Sequence, residues 1–279
     1  MFYNELEILK IRLKELYDVV DYFIIVEATG THNNNKQKPL YYAENKHLFE
    51  TYQDKIIHIV TDYMENYDFA KFIPTHLNEH WFRENYQREC IKIGLNKLNL
   101  EPTDIIILSD ADEIPKKSII HNIKTGILKL KSNDIYSLQL SLYYYDIEHT
   151  TNRKWYHSKI FHYSTMTYFN LLTDIRLSNN ALVIKNAGFH LSYFGDVNFI
   201  KTKVESFAES VEYTDEGKSF EHLQKCYNNG ILHFNNEKLI YIPLENNNNI
   251  PEYYKDLDPP LNTYSHSTSL VSTSLDSPS

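Results

Sequence analysis

The sequence is poor in cysteine and glycine, with 2 Cys and 7 Gly among 279 residues. Cys90 and Cys226 are too few for a disulfide framework or a cysteine-ligated metal site, so we interpret both as small core residues. No run of residues approaches the roughly 18 apolar residues of a transmembrane helix. Residues 1–15 carry acidic and basic side chains in place of the apolar block of a signal peptide. These absences predict a cytoplasmic protein without a membrane anchor.

An excess of basic residues is also absent. The formal net charge is −9, which argues against a nucleic-acid partner. Tyrosine, in contrast, is abundant, with 23 residues in the chain. Tyrosine rings stack on sugars and peptides while the hydroxyl forms hydrogen bonds, so this composition suits carbohydrate binding. The asparagine runs at 33–35 and 246–249 fit equally well with an AT-rich coding sequence, and composition leaves both interpretations open.

The segment 105–115 is the most informative part of the sequence. Its four aliphatic residues, 105–108, predict a buried strand of a parallel sheet. Asp110, Asp112 and Glu113 follow at the carboxyl end of this strand, where open α/β sheets bind ligands. Because side chains alternate along an extended chain, Asp110 and Asp112 are expected on the same side. Two carboxylates suit Mg²⁺ or Mn²⁺, and such a cation suits a diphosphate, whereas the alternative interpretation is a solvated turn.

The rest of the chain predicts one α/β domain. Helices and strands alternate up to residue 108, which predicts a mostly parallel sheet with crossover helices. The segments 134–145 and 159–163 alternate in polarity and predict antiparallel strands at the edge of that sheet. We expect residues 1–258 to form a single domain and the Ser/Thr-rich residues 259–279 to form a disordered tail. The individual predictions are helices from Asn4 to Leu16 and at about 45–52, 76–98, 119–130, 197–210 and 216–227, and strands at 19–27, 55–60, 105–108 and 186–195.

Three segments in this order resemble one enzyme family. They are Ser-Asp-Ala-Asp-Glu-Ile-Pro at 109–115, the preceding long helix with Trp81 and Arg88, and Ala-Gly-Phe-His-Leu-Ser-Tyr at 187–193. Together with the segments 4–7, 26–29 and 38–40, they are similar to the β-1,4-mannosyl-glycoprotein 4-β-N-acetylglucosaminyltransferase family, glycosyltransferase family 17. The resemblance covers about residues 2–245.

The resemblance implies a GT-A type, Rossmann-like fold: a mostly parallel sheet flanked by helices, with an antiparallel edge. It also implies inverting transfer of N-acetylglucosamine from UDP-N-acetylglucosamine to a glycan or glycoprotein acceptor, with a divalent cation, Mn²⁺ or Mg²⁺. Relatives carry a strand before the opening helix, so the first family strand is expected to be missing here. Phe189 stands where relatives usually have Trp.

The family pattern assigns candidate metal ligands. Asp110 and Asp112 match the metal and diphosphate motif, with Asp112 on the metal and Asp110 on the metal through water or on the ribose. His190 is the expected third ligand, since GT-A enzymes often supply to the metal a histidine from late in the chain. The alternative is that a lone histidine in a strand is simply a core residue. Glu113 is interpreted as structural support or as a partner of Lys116 or Lys117.

Donor-binding and catalytic candidates follow from the same comparison. Glu27 and Thr29, at the end of a predicted strand, are expected near the uracil or ribose. Arg83, Arg88 and Arg176 are the candidate cations for the diphosphate or uracil. Inverting transfer needs a general base. Asp196 is the first candidate, and Asp174 and Asp146 are the alternatives. Asp196 also fits a simple helix N-cap.

Two other functions remain open at this point. A sugar-nucleotide pyrophosphorylase shares the sheet and the acidic site but needs a Gly-rich nucleotide loop, which residues 1–29 lack. A non-catalytic sugar-binding protein fits the missing first strand. The acceptor is not readable from the sequence, although Tyr143, Tyr144, Trp155 and Tyr156 are candidates for a stacking platform.

Overall fold

A computed structural model of the chain describes residues 1–63, 68–74 and 78–256. The predicted tail, 259–279, and the predicted start of the long helix at residue 76 lie outside these ranges, and the division at residue 258 stays a prediction. No helix in the described ranges combines the length and the apolar character that crossing a membrane requires. The α-helices are α1 Leu6–Leu16, α2 Tyr41–Glu44, α3 Glu79–Glu89, α4 Ile91–Leu95, α5 Lys117–Lys124, α6 Leu172–Arg176, α7 Val197–Ser206 and α8 Phe220–Asn229.

The strands form two sheets. A parallel pair, β1 with β2, stands beside a seven-stranded sheet with the order β3-β7-β5-β6-β9, in which β8 pairs with both β4 and β5. The strands are β1 Phe23–Ala28, β2 Ile56–Thr61, β3 Ile105–Leu108, β4 Glu113–Pro115, β5 Tyr136–Tyr144, β6 His149–Trp155, β7 Lys159–His162, β8 Leu182–Ser192 and β9 Ile240–Tyr241. The described elements also include 3₁₀ helices at Lys46–Lys55, Asp68–Phe72, Tyr163–Tyr168, Ala208–Glu212, Leu244–Asn246 and Glu252–Asp256.

The expectation of a mostly parallel sheet is wrong. Among the described strand pairs of the seven-stranded sheet, β5–β8 is parallel and the others are antiparallel. The prediction of a parallel strand at 105–108 fails for the same reason, because β3 pairs antiparallel with β7. A short aliphatic run shows that a strand is buried, but it carries no information about the direction of its neighbour. The fold is mixed α/β, and the GT-A assignment stays a prediction.

A cavity of about 840 Å³ separates β1 from β3. It is lined by apolar side chains of α1 and by the facing edges of the two strands, and no described strand pairs with both edges. The first two residues join the sheets beyond this cavity: the Phe2 amide donates to the Val26 carbonyl, and the Ala111 amide donates to the Met1 carbonyl, both at 3.1 Å. The expectation that the family's first strand is missing stays a prediction.

Two packing arrangements position the acidic segment and the elements around it. In α7, Val197, Ile200 and Val204 recur at helical spacing and pack with residues of β5 and α8. In α6, Leu172 and Ile175 pack against the residues of β3 and β7. These apolar contacts fix both helices, so that Lys203 of α7 and Arg176 of α6 reach the acidic segment.

Gly188 provides a test of the packing between β4 and β8. A Cβ atom at this position would lie 2.3 Å from the Ile114 carbonyl oxygen and 2.9 Å from the Pro115 Cα. We expect Gly188→Ala to lower the free energy of unfolding by about 1–3 kcal/mol, measured by urea denaturation, because backbone atoms must shift. Gly217→Ala is the matched control, since its Cβ would first meet the Thr214 Oγ1 at 3.3 Å. Equal midpoints for Gly188→Ala and the unmodified protein would contradict this packing.

Candidate active site

The acidic segment borders a cleft of about 510 Å³. This volume falls in the range of small-molecule sites, about 300–1,000 Å³. The charged side chains singled out from the sequence that line it are Asp110, Asp112, Glu113, Arg176 and His190. The loop at 30–32, the segment 1–5 and the segment 203–213 form other parts of the wall. The structure therefore brings the two most specific motifs, at 109–115 and 187–193, to one place.

Arg176 is the cation at the centre of the acidic segment. Its Nη2 donates to Asp110 Oδ2 and to Glu113 Oε1, each at 2.6 Å, and its Nη1 donates to Glu113 Oε2 at 2.9 Å. Nη1 also donates to the His157 carbonyl at 3.3 Å. The guanidinium is buried, with 8% of its side chain exposed. Both terminal nitrogens are thus fully engaged, and Arg176 acts here as a fixed internal charge.

Glu113 supports the turn that presents the two aspartates. Its carboxylate accepts hydrogen bonds from Trp155 Nε1 at 2.6 Å, Ser158 Oγ at 2.7 Å and the Asp110 amide at 3.1 Å, besides those from Arg176. Burial raises the pKa of Glu113, but the charge and hydrogen bonds of Arg176 outweigh it and hold that pKa below its usual range. The structure therefore agrees with structural support for Glu113, and its cation is Arg176 in place of Lys116 or Lys117.

Asp112 belongs to a second buried ion cluster. Its Oδ2 lies 3.0 Å from Lys203 Nζ and 3.6 Å from His190 Nε2, and Lys203 also contacts Glu5 Oε1 at 2.9 Å. Burial raises the pKa of Asp112, but the charges of Lys203 and then His190 outweigh it, so the pKa lies far below its usual range. For Lys203, burial lowers the pKa, and the charges of Asp112 and Glu5 hold it above the usual value. Asp112 and Lys203 are therefore both charged near neutral pH.

These residues do not fit a resident metal centre as they are arranged. Asp110 faces Arg176 while Asp112 faces Lys203, so the two carboxylates do not converge on one point. In the part of the chain that the structure describes, no group of three or more His, Cys, Asp or Glu side chains is placed to hold a metal ion. His190 approaches Asp112 with Nε2, while its buried Nδ1 has no hydrogen-bond partner among the described residues. A cation would have to displace internal ion pairs to obtain its ligands.

Four of the predicted donor-binding residues do not line the cleft. Glu27 is fully buried and accepts hydrogen bonds from the Tyr42 and Ala43 amides at the start of α2, and also contacts His58 at 2.8 Å. Thr29 lies in the chain just before the loop that lines the cleft, and its backbone is bonded to Thr61 and Lys38.

Arg83 and Arg88, both in α3, contact residues of the cleft wall without lining the cleft themselves. Arg83 donates to the carbonyls of His32 at 2.5 Å and Asn33 at 2.7 Å, which fixes the loop at 30–32. Arg88 pairs with Glu84 at 2.7 Å, and Glu84 itself lines the cleft. Both arginines are buried. The structure thus gives them positioning contacts, and their contact with a nucleotide stays a prediction.

The aspartates predicted as general bases also lie outside the cleft lining. Asp196 caps α7, where its Oδ1 accepts from the Phe199 amide at 2.8 Å, the structural role that was the alternative from the sequence. Asp174 is exposed on α6. Asp146 bonds to the Glu148 and His149 amides and to the His149 ring in a turn. None of the three faces the acidic segment.

The carboxylate that sequence reasoning missed is Glu209. It lies in the 3₁₀ helix Ala208–Glu212 and lines the cleft, and no hydrogen bond or ion pair joins it to a described residue. Its side chain reaches solvent, yet the removal of water by the cleft walls, and then the charges of Glu84 and Glu212, raise its pKa. The other carboxylates of the lining are in ion pairs, namely Glu5, Glu84, Asp110, Asp112 and Glu113.

Aromatic side chains form the remaining wall. Tyr144 stacks with Tyr193 at a centroid distance of 6.5 Å, and the Trp155 ring lies 4.6 Å from the His190 ring. Of the predicted acceptor platform, Tyr144 and Trp155 line the cleft. Tyr143 instead bonds to the Asn249 carbonyl, and Tyr156 bonds to Gln139.

Comparison with known proteins adds to this geometry. A model of Glycosyltransferase family 17 matches residues 1–237. The beta-1,4-mannosyl-glycoprotein 4-beta-N-acetylglucosaminyltransferase of Homo sapiens is 31% identical over 135 residues, which are 47% of this chain and 22% of that protein. The proteins of that name from Rattus norvegicus and Mus musculus are 31% and 30% identical over matches of the same extent. No solved structure matches the chain.

Proposed function

The chain belongs to glycosyltransferase family 17, and from that premise we propose that its cleft transfers N-acetylglucosamine from UDP-N-acetylglucosamine to a hydroxyl group of a glycan. The match covers 22% of the length of the human relative, so donor and acceptor are both part of the proposal. The observation that carries it is the meeting of the segments 109–115 and 187–193 in one cleft with two internal cations, Arg176 and Lys203.

Inverting transfer needs a positive group that stabilises the departing diphosphate and a base that accepts the proton of the acceptor hydroxyl. The bond between the anomeric carbon and the β-phosphate oxygen breaks, and its electron pair leaves with the diphosphate. The acceptor oxygen forms the new bond from the opposite face, and its proton passes to a base. The transition state resembles an oxocarbenium ion, as in glycoside hydrolysis, so fixed charges near the departing diphosphate matter most.

Glu209 is the proposed general base. Each of the other carboxylates that line the cleft is in an ion pair with Arg88, Arg176 or Lys203. Glu209 keeps both oxygens available, and its raised pKa favours proton uptake. Its place at the open side of the cleft suits an acceptor that arrives from solvent.

The acceptor surface is proposed to be aromatic. Tyr144, Tyr193, Tyr213 and Phe234 line the cleft around Glu209, and such rings stack on the apolar faces of sugars while hydroxyls bond to their edges. The named relatives act on a mannosyl glycoprotein. A mannose-containing glycan is accordingly the first acceptor to test.

The requirement for Mn²⁺ or Mg²⁺ stays a prediction. If a cation binds, Asp112 and His190 are the side chains placed to contact it together, and it would add positive charge at the diphosphate. The roles proposed above for Glu209, Arg176 and Lys203 are those of the chain's own side chains.

The proposal is tested by turnover. The protein is incubated with UDP-N-acetylglucosamine, UDP-glucose, UDP-galactose or GDP-mannose and with a mannose-containing glycan, with Mn²⁺ or with EDTA. With UDP-N-acetylglucosamine, more than with the other donors, we expect UDP release and an increase in the glycan mass by one N-acetylhexosamine. Binding of UDP without any turnover across acceptors would support the non-catalytic sugar-binding alternative. Absence of both binding and turnover would contradict the proposal.

A further inference from the structure

Lys203 is a deeply buried cation in the cleft wall. Only 2% of its side chain is exposed, although its residue lines the cleft. It lies on the same buried side of α7 as Ile200 and Val204, where an apolar residue is expected. Burying an ammonium group is costly unless ion pairs and hydrogen bonds offset the cost. Its position therefore calls for an explanation beyond the packing of α7.

The contacts of Lys203 leave part of its bonding capacity unused. An ammonium group has three N–H donors, and two of them are accounted for by Glu5 at 2.9 Å and Asp112 at 3.0 Å. The Phe207 and Tyr193 rings lie beside the group, with centroids 5.0 Å and 5.6 Å from Nζ. No further oxygen acceptor is recorded among the described residues. One N–H thus remains for a ligand in the cleft.

The terminal nitrogens of the other central cation, Arg176, have no such reserve. Both terminal nitrogens of Arg176 make two hydrogen bonds each, to Asp110, Glu113 and the His157 carbonyl. A diphosphate that bound Arg176 directly would have to break contacts that hold the acidic turn together. A diphosphate beside Lys203 needs no such break, because Glu5 and Asp112 already hold the ammonium in place.

We infer that Lys203 binds the diphosphate of the nucleotide-sugar donor, with Glu5 and Asp112 as the carboxylates that orient its ammonium group. This inference rests on the proposed function and deepens it by naming the residue that receives the leaving group. Lys203 donates a hydrogen bond to a phosphate oxygen as the sugar departs, and no proton transfer from the lysine is required.

Two variants separate this role from a merely structural one. Lys203→Met alone leaves Glu5 and Asp112 buried without their cation and risks unfolding. Lys203→Met combined with Glu5→Gln keeps the formal charge of the cluster at −1, since one positive and one negative charge are removed together. Glu5→Gln alone keeps the lysine and removes one of its neutralising carboxylates. Lys201→Met, on the same helix in an exposed pair with Glu205, is the matched surface control.

The measurement is the dissociation constant of UDP, by isothermal titration calorimetry in EDTA and in Mn²⁺, after folding of each variant is verified by circular dichroism. We expect the double variant to bind UDP about 10–100-fold more weakly in both buffers, as for a lost hydrogen bond to a charged group. Glu5→Gln is expected to bind UDP more tightly, and Lys201→Met to bind it as the unmodified protein does.

The outcomes distinguish the inference from the proposed function. Equal UDP affinity of the double variant and the unmodified protein would overturn the role of Lys203 and leave the proposed function standing. A loss confined to the Mn²⁺ buffer would also overturn it, because Lys203 would then act only by positioning Asp112 for the metal. Absence of UDP binding by the unmodified protein in either buffer would contradict the proposed function itself.

Discussion

Glu209→Gln is expected to lower kcat for sugar transfer by about 10²–10⁴-fold, the usual contribution of a general base. The amide keeps the size and shape of the side chain but cannot accept the proton of the acceptor hydroxyl. The dissociation constant of UDP is expected to stay within about threefold, because in the proposed mechanism Glu209 contacts the acceptor and not the diphosphate. Initial rates with UDP-N-acetylglucosamine and a glycan acceptor measure the first effect, and calorimetry measures the second.

The pH dependence provides an independent test of the base. Glu209 must be deprotonated to act, and enclosure by the cleft, together with Glu84 and Glu212, raises its pKa. Activity is therefore expected to fall as pH decreases through a value above the ordinary range for glutamate, and the variant should lose this acid limb. Glu212→Gln, in the same 3₁₀ helix but outside the cleft lining, is the control: it should keep kcat and move the acid limb to lower pH, because the charge of Glu212 raises the pKa of Glu209. A Glu209→Gln enzyme with normal kcat would rule out this assignment.

Arg176→Met is expected to lower the free energy of unfolding by about 3–5 kcal/mol, as for a buried ion pair that loses one partner. The carboxylate of Glu113, with 1% of its side chain exposed, and that of Asp110 would remain without their cation. Urea denaturation followed by circular dichroism measures the change. Arg153→Met is the matched control, because its 2.6 Å pair with Glu237 is exposed and should contribute less than about 1 kcal/mol.

The same variant changes the response to acid. In the unmodified protein the pKa of Glu113 is depressed in the folded state, so its stabilisation is present above the unfolded value of about 4.3. That stabilisation is lost as pH falls toward the lower folded value. Arg176→Met should therefore weaken the acid dependence of stability below about pH 4.3. Equal losses of stability in Arg176→Met and Arg153→Met would contradict the central role given to Arg176.

The family resemblance read from three short segments is confirmed by the match over residues 1–237. Those segments were informative because each combines unusual neighbours, such as carboxylates that directly follow an apolar strand. The same strand led to a wrong prediction of the sheet topology, because Ile105 to Leu108 pair with the antiparallel β7. Strand direction depends on a neighbour some 50 residues away in the chain, and the local pattern does not encode it.

The site, like the fold, was predictable from the sequence only in part. Asp110, Asp112, His190 and Arg176 line one cleft, and their roles in binding the metal and the donor stay predictions. The sequence context of Asp196, a polar residue before an apolar helix, is that of an N-cap, and the structure shows this contact. No local sequence pattern marks Glu209 as a candidate base. It stands out because the other carboxylates of the cleft are paired with cations, and those pairs form only in the folded chain.

Lys203 carried a signal that sequence analysis can use. It lies three positions after Ile200 and one before Val204, both buried, so the helical pattern places a lysine on the apolar face. Such a residue predicts a buried partner or a ligand, but not which one. The partners, Glu5 and Asp112, lie 198 and 91 positions away, beyond the reach of periodicity.

The most direct test of the account is a crystal structure of the protein with UDP-N-acetylglucosamine. We predict that the nucleotide sugar occupies the cleft, with a phosphate oxygen within about 3 Å of Lys203 Nζ, hydrogen-bond distance, and with the anomeric carbon open toward Glu209. A nucleotide bound away from this cleft, or a diphosphate in the cleft that does not contact Lys203, would contradict the account.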